Sequence, residues 1–162
     1  MRILRTLTLP LALLVVAVTA VAPRSHAASE RLWSPPLGHP LRISAPYSLP
    51  NGPYRAGHRG IDLPATSGDP VRAPTSGTIS FAGTVVDRPV ISIRVDERTV
   101  LSMEPVTSAL AAGDIVAPGG IVGEIDSDAH CAGGCLHLGV RVDGDYVNPL
   151  RFLRPRPVLL PW

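Results

Sequence analysis

Short runs of β-forming residues, each closed by glycine, proline or aspartate, dominate the chain after Asp62 and leave little room for helices. They read "GTISFAGTVV" from Gly77, "PVISIRVD" from Pro89, "RTVLSM" from Arg98, "GGIVGEID" from Gly119 and "CLHLGVRV" from Cys135. In the second run Ile91, Ile93 and Val95 alternate with Ser92 and Arg94, the period-two pattern of a strand with one buried face. Asp143-Gly144, between "LGVRV" and "DYVNP", is a hairpin signal, because both residue types tolerate the positive φ that a two-residue turn needs. The one helix candidate is "VTSALAAGD", which Gly113 ends after about two turns. Upstream, Ser29 to Tyr54 carries Trp33 and the prolines Pro35, Pro36, Pro40, Pro46, Pro50 and Pro53, so no helix fits there. The expected class is mostly β, an antiparallel sandwich or barrel.

The 162 residues allow one domain with a real core. Arg2 and Arg5, an uncharged apolar stretch from Leu7 to Ala22 and the small residues Ser25-His26-Ala27-Ala28 read as a secretory signal cleaved near Ala27. An uncleaved anchor would need about 20 apolar residues, and this stretch is shorter and interrupted by Pro10. The expected organisation is a signal peptide over 1–27, a Pro/Gly-rich segment over 28–56, the functional domain over 57–153 and a Pro-rich tail over 154–162. A net charge of +2, spread over scattered arginines, gives no basic face for nucleic acid. Cys131 and Cys135 flank Gly133-Gly134. In an exported chain a disulfide is the leading reading, and so short a loop would shape a site more than stabilise the fold.

Signal removal leaves His39, His58, His130 and His137. A hydrolytic zinc takes three protein ligands and keeps one position for water, and His58, Asp62 and His137 would supply such a set. Gly60 makes a regular helix between His58 and Asp62 unfavourable, so their side chains would converge through a bend into a strand. On spacing alone, "GHRGIDLP" is more often a polar turn with a local hydrogen bond than a metal site. His137 and Cys135 are two apart in a strand and therefore share a face.

The order of motifs decides between these readings. "GHRGIDLPATSGDPVRAPTSGTISFAG", then "GDIVAPGGIVGEI", then "CLHLGVRVDGDYVNPL" resembles the lysostaphin-type, or LytM-like, zinc metallopeptidases from about Trp33 to Leu153. The matching pieces are Gly57 to Asp62, the strand pair Gly68 to Ile79, the turn Gly113 to Gly119, and Leu136-His137-Leu138. The resemblance implies the β-rich fold of that family, of the duplicated hybrid motif type. It also implies one Zn2+ held by His58, Asp62 and His137, and peptide cross-links of bacterial cell-wall peptidoglycan as substrate. A monomer is expected.

The chain departs from the family pattern at two histidine positions beside the metal. Counting back from Gly113 puts Glu104 at the first, and Cys135 occupies the second. Glu104 is then a candidate base, since carboxylates take the water proton in other zinc peptidases, but once ionised it would repel an oxyanion. His130, folded back by a Cys131–Cys135 bridge, is a second candidate for proton transfer. Tyr54 and Arg59 flank the proposed metal and are candidates for binding substrate. Two functions remain open: a secreted peptidoglycan endopeptidase, or a zinc-bound, catalytically silent domain that binds wall peptides or regulates another cell-wall hydrolase. A non-metallic β domain in which His58 and Asp62 are only a turn is a third reading, which the ordered motif match disfavours.

Overall fold

A computed structural model describes residues 32–49, 56–127 and 134–154. Ten strands and one short helix follow in order: β1 (Gly60–Pro64), β2 (Pro70–Arg72), β3 (Gly77–Val85), β4 (Arg88–Arg94), β5 (Thr99–Glu104), β6 (Val106–Thr107), β7 (Ile115–Val116), β8 (Ile121–Ile125), β9 (Cys135–Val142), β10 (Asp145–Val147) and α1 (Leu150–Leu153). Seven strands form one sheet in the order β1-β9-β5-β4-β3-β7, with β10 also pairing to β9, and a small sheet runs β2-β8-β6. Every pairing is antiparallel, as the expected class requires.

Alternation along the strands decides which residues face the core. In β5, Thr99, Leu101 and Met103 are buried while Val100, Ser102 and Glu104 are half-buried on the opposite face. Leu101 and Met103 join Ile91 and Ile93 of β4, Leu136, Leu138 and Val140 of β9, and Val71, Val106, Val122 and Ile125 of the small sheet in one apolar cluster. The other face of the large sheet therefore carries the polar residues of β5 and β9. The chain passes from the large sheet to the small one between Glu104 and Val106, through a cis Glu104–Pro105 peptide. Asp143-Gly144 forms the expected hairpin, with φ of 53° and 89° joining β9 to β10.

The helix expected over "VTSALAAGD" does not form. Val106 is buried and pairs with Ile125, which commits the start of the segment to β6. Beyond it, side chains take the backbone donors that a helix would use: Ser108 Oγ accepts from Leu110 N–H at 3.1 Å, and Asp114 Oδ2 accepts from Ala111 N–H at 2.8 Å. The single helix among the described residues is α1, a turn that the sequence reading left unassigned. Against it lies Trp33, stacked on Phe152 with ring centroids 4.4 Å apart.

Trp33 opens a strap, residues 32–49, that runs over the large sheet's outer strand. Ala45 bridges Asp62 and Ser48 bridges His58, so the strap covers the open edge of β1. Among the described residues no helix is long and apolar enough to cross a membrane. The signal segment 1–27, Tyr54, His130, Cys131 and the tail from 155 lie outside the described residues.

Candidate metal centre

Register brings the expected ligands together. Asp62 on β1 lies opposite His137 on β9, and His137 lies opposite Glu104 on β5, so three adjacent strands present one side chain each in a single row. His58 sits just before β1, and the strap holds its backbone there through paired bonds of 3.0 Å with Ser48. Asp62 is fastened the same way: its N–H donates to Ala45 O at 2.9 Å and its carbonyl accepts from Ser44 N–H at 2.9 Å.

The strap also selects a tautomer. His58 Nδ1 lies 2.8 Å from the Pro46 carbonyl, which can only accept, so the ring proton is on Nδ1 and Nε2 presents a lone pair. That lone pair is 3.0 Å from Asp62 Oδ1 and 3.2 Å from His137 Nδ1, and His137 Nδ1 is 2.8 Å from the same Asp62 oxygen. Ligands about 2.0 Å from a tetrahedral zinc are about 3.3 Å from one another. Three donor atoms converging at nearly that spacing can hold a metal ion. One proton on His137 would satisfy a single contact, whereas a cation satisfies all three. Burial pushes His137 below the ordinary imidazole range, against the opposing pull of its hydrogen bond to Asp62 and of the charges on Asp62 and Glu104. The neutral ring, which is the ligating form, is thereby favoured.

Gly60 explains the second glycine of "GHRGID". A Cβ there would lie 2.6 Å from His137 Nε2, and the backbone at Leu138 closes the other side. Only glycine lets the His137 ring lie across β1.

Glu104 is half-buried beside this row and is paired with Arg88 of β4, Nη1 donating to Oε1 at 3.1 Å. Arg88 was not anticipated; nothing in "VVDRPV" reveals it without the β4–β5 register. Cys135, two residues before His137, is fully buried and is not a free thiol, so it offers the site no reactive sulfur. Arg59 is exposed beside His58. Ser44, Ala45, Pro46 and Ser48, which support the ligands, were also missed, because the Pro/Gly-rich segment was read as lying outside the functional domain.

Two histidines and an aspartate with converging donor atoms thus form a group that could hold a metal ion. The profile of peptidase family M23 matches residues 56–149, and the chain belongs to that family. An uncharacterized protein of Mycobacterium tuberculosis, Rv2891, is 31% identical over 98% of this chain, which spans 66% of that protein's length. The DD-carboxypeptidase/endopeptidase Mpg of Neisseria meningitidis is 31% identical over 73% of this chain and 28% of its own. Among solved structures, Helicobacter pylori Csd3 superposes with a TM-score of 0.67 at 27% identity, covering 81% of this chain and 37% of that one. The lysostaphin-type resemblance and the antiparallel β class are both borne out.

Proposed function

We propose that this chain is an exported zinc endopeptidase that hydrolyses peptide bonds of bacterial cell-wall peptidoglycan. The observation that carries the reading is the convergence of His58 Nε2, Asp62 Oδ1 and His137 Nδ1 within 3.2 Å of one another. Membership of peptidase family M23 and the endopeptidase activity named for the Neisseria relative point to the same chemistry. A zinc ion held by these three residues would supply Lewis acidity toward a peptide carbonyl.

The chain's own residues do the rest. Pro46 O fixes the His58 tautomer and Asp62 orients His137. Glu104, in the row next to His137, takes a proton from the attacking water. His130 is the second proton-transfer group. A Cys131–Cys135 disulfide shapes the loop that carries His130. Tyr54 and the exposed Arg59 line the approach and contact substrate.

One observation favours a second reading, a zinc-bound, silent domain that binds wall peptides or regulates another hydrolase: the two family histidine positions hold Glu104 and the buried Cys135. Metal analysis of purified protein, combined with digestion of wall fragments by wild type, His137→Ala and Glu104→Ala, separates the two. About one zinc per chain in the wild type, cleavage by the wild type alone and loss of zinc in His137→Ala are expected. A wild type without zinc overturns both readings. Zinc without cleavage of any wall type leaves the silent domain.

A further inference from the structure

We infer that Arg88 is a catalytic residue that donates hydrogen bonds to the oxyanion formed at the scissile carbonyl, working as an ion-paired dyad with Glu104. The inference rests on the hydrolase reading above and resolves a difficulty in it. An ionised Glu104 beside the metal centre would repel the negative charge that develops on the carbonyl oxygen, and the family's histidines are absent from positions 104 and 135.

The sheet register puts Arg88 within reach of Glu104, which stands beside His137. Ile91 lies opposite Met103, so Val90 comes opposite Glu104, and Arg88 is two residues further along β4 on the same face. Directly paired residues have Cβ atoms about 5 Å apart, which places Glu104 one residue's width from His137. From its neighbouring strand Arg88 reaches back to Glu104, Nη1 to Oε1 at 3.1 Å, while its Nε donates to Asp87 at 3.3 Å. These two bonds use two of the five guanidinium N–H donors, and the side chain is 36% exposed on the open face. Arg94 and Arg141 share that face but stand opposite Val100, four residues from Glu104 and His137 along their rows, roughly 13 Å away at about 3.3 Å per residue. They are too distant to pair with Glu104 as Arg88 does.

The step balances. The water oxygen bonds to the carbonyl carbon as the C=O π pair moves onto oxygen, and Glu104 accepts the water's proton. Arg88 stabilises the resulting oxyanion through its remaining N–H groups. Collapse restores the carbonyl and breaks the C–N bond, and the amine leaves with the proton returned by Glu104. A guanidinium carries its positive charge throughout the range in which proteins fold, so the pair keeps its cationic member. Glu104 in turn holds the guanidinium in one orientation, which limits the reorganisation needed when the charge forms.

The test uses the zinc-loaded full chain and its Arg88→Ala and Arg88→Lys variants, with wall peptides as substrate and a phosphinate dipeptide, a tetrahedral anion, as a binding probe. Removal of one oxyanion donor reduces kcat by about 10²- to 10³-fold, so Arg88→Ala loses at least about 10² in kcat with little change in KM. Phosphinate affinity by calorimetry falls in parallel, zinc content stays at the wild-type value, and added methylguanidine restores part of the rate. Arg88→Lys recovers only a fraction, because an ammonium cannot bond Glu104 and the oxyanion from one planar fork. Cleavage and phosphinate binding by Arg88→Ala equal to wild type overturn the role of Arg88 and leave the hydrolase standing. A loss confined to KM, or one matched by loss of zinc, overturns it too. If the wild type cleaves nothing yet binds phosphinate in an Arg88-dependent way, the hydrolase reading falls and the anion site stands. If it does neither, both fall.

Discussion

Replacing Gly60 by alanine adds one methyl group where the structure leaves no room for it. The new Cβ would sit 2.6 Å from His137 Nε2 and 2.7 Å from its Cε1, and the Leu138 carbonyl blocks a retreat of the backbone. Ordinary contact begins near 3.4 Å, so the ring must recede by about 0.8 Å, the difference between 3.4 and 2.6. Metal ligands tolerate about 0.2 Å. The ring is pinned from the other side by the 2.8 Å contact to Asp62, and moving it spoils that contact as well. Displacement of one ligand by this amount weakens zinc binding by about 10- to 100-fold, and the overpacking costs about 1–3 kcal/mol of metal-free stability. In free zinc roughly 1,000 times the wild-type Kd, the wild type gains about 4.1 kcal/mol from the metal. A variant 100-fold weaker gains about 1.4, so zinc adds about 2.7 kcal/mol less to it. Chelator competition reads the affinity, and denaturant melts with and without zinc read the two stability differences. A Gly60→Ala protein that binds zinc as the wild type does would refute the placement of His137 against β1.

Val86, in the two-residue turn between β3 and β4, has φ of 60° although it is β-branched, and its side chain is 95% exposed. Val86→Gly removes strain of about 1–3 kcal/mol against an entropic cost of about 0.5–1, so a gain near 1 kcal/mol in chemical denaturation is expected, and a loss would show that the side chain has a contact worth keeping. Asp96 Oδ1 accepts from the Arg98 and Thr99 backbone N–H groups at 2.8 and 2.7 Å, closing the β4–β5 turn. Burial would raise its pKa, but these bonds together outweigh burial and hold it below the usual range. The contribution of Asp96 is therefore present above the unfolded value near 3.9 and lost as pH falls through the lower folded value. Asp96→Asn should lose less stability than wild type between pH 5 and pH 2.5, and parallel losses would count against the turn bonds.

The strands were legible because their information is local. The alternation of Ile91 and Ile93, and the pair Asp143-Gly144, need no knowledge of what lies across the sheet, and both stand in the structure. β4 nevertheless ends at Arg94, before Val95, and Val90 and Ser92 are buried on its other face. "VTSALAAGD" failed for the opposite reason. Its alanines and leucine suit a helix, but Val106 is claimed by a partner strand and the following donors by Ser108 and Asp114, which composition does not reveal. The strap's course was hidden for the same reason. Its prolines exclude helix and say nothing of where the chain goes, yet the Pro46 carbonyl selects the His58 tautomer and Ser44 and Ala45 hold the backbone of Asp62.

The site divides along the same line. His58 and Asp62 are four residues apart, and an ordered set of motifs supplied His137, so the donor set was readable in outline. What surrounds it depends on register. Glu104 matters because β5 places it opposite His137, and Arg88 matters because β4 places it beside Glu104. A one-residue shift in the β5–β9 pairing would turn Glu104 to the core face, one in the β4–β5 pairing would turn Arg88 there, and either would separate the ion pair from the His58–Asp62–His137 group. Position 104 is then better understood together with position 88 than singly: a lone carboxylate is a liability beside a developing anion, and the Arg88 guanidinium offsets its charge. An Arg88→Glu, Glu104→Arg double exchange tests that interdependence. It preserves the ion pair but moves the cation into the row of His137, where it opposes the metal, so zinc affinity should fall even though the pair re-forms, and unchanged affinity would show that the order of the two charges across the sheet is immaterial.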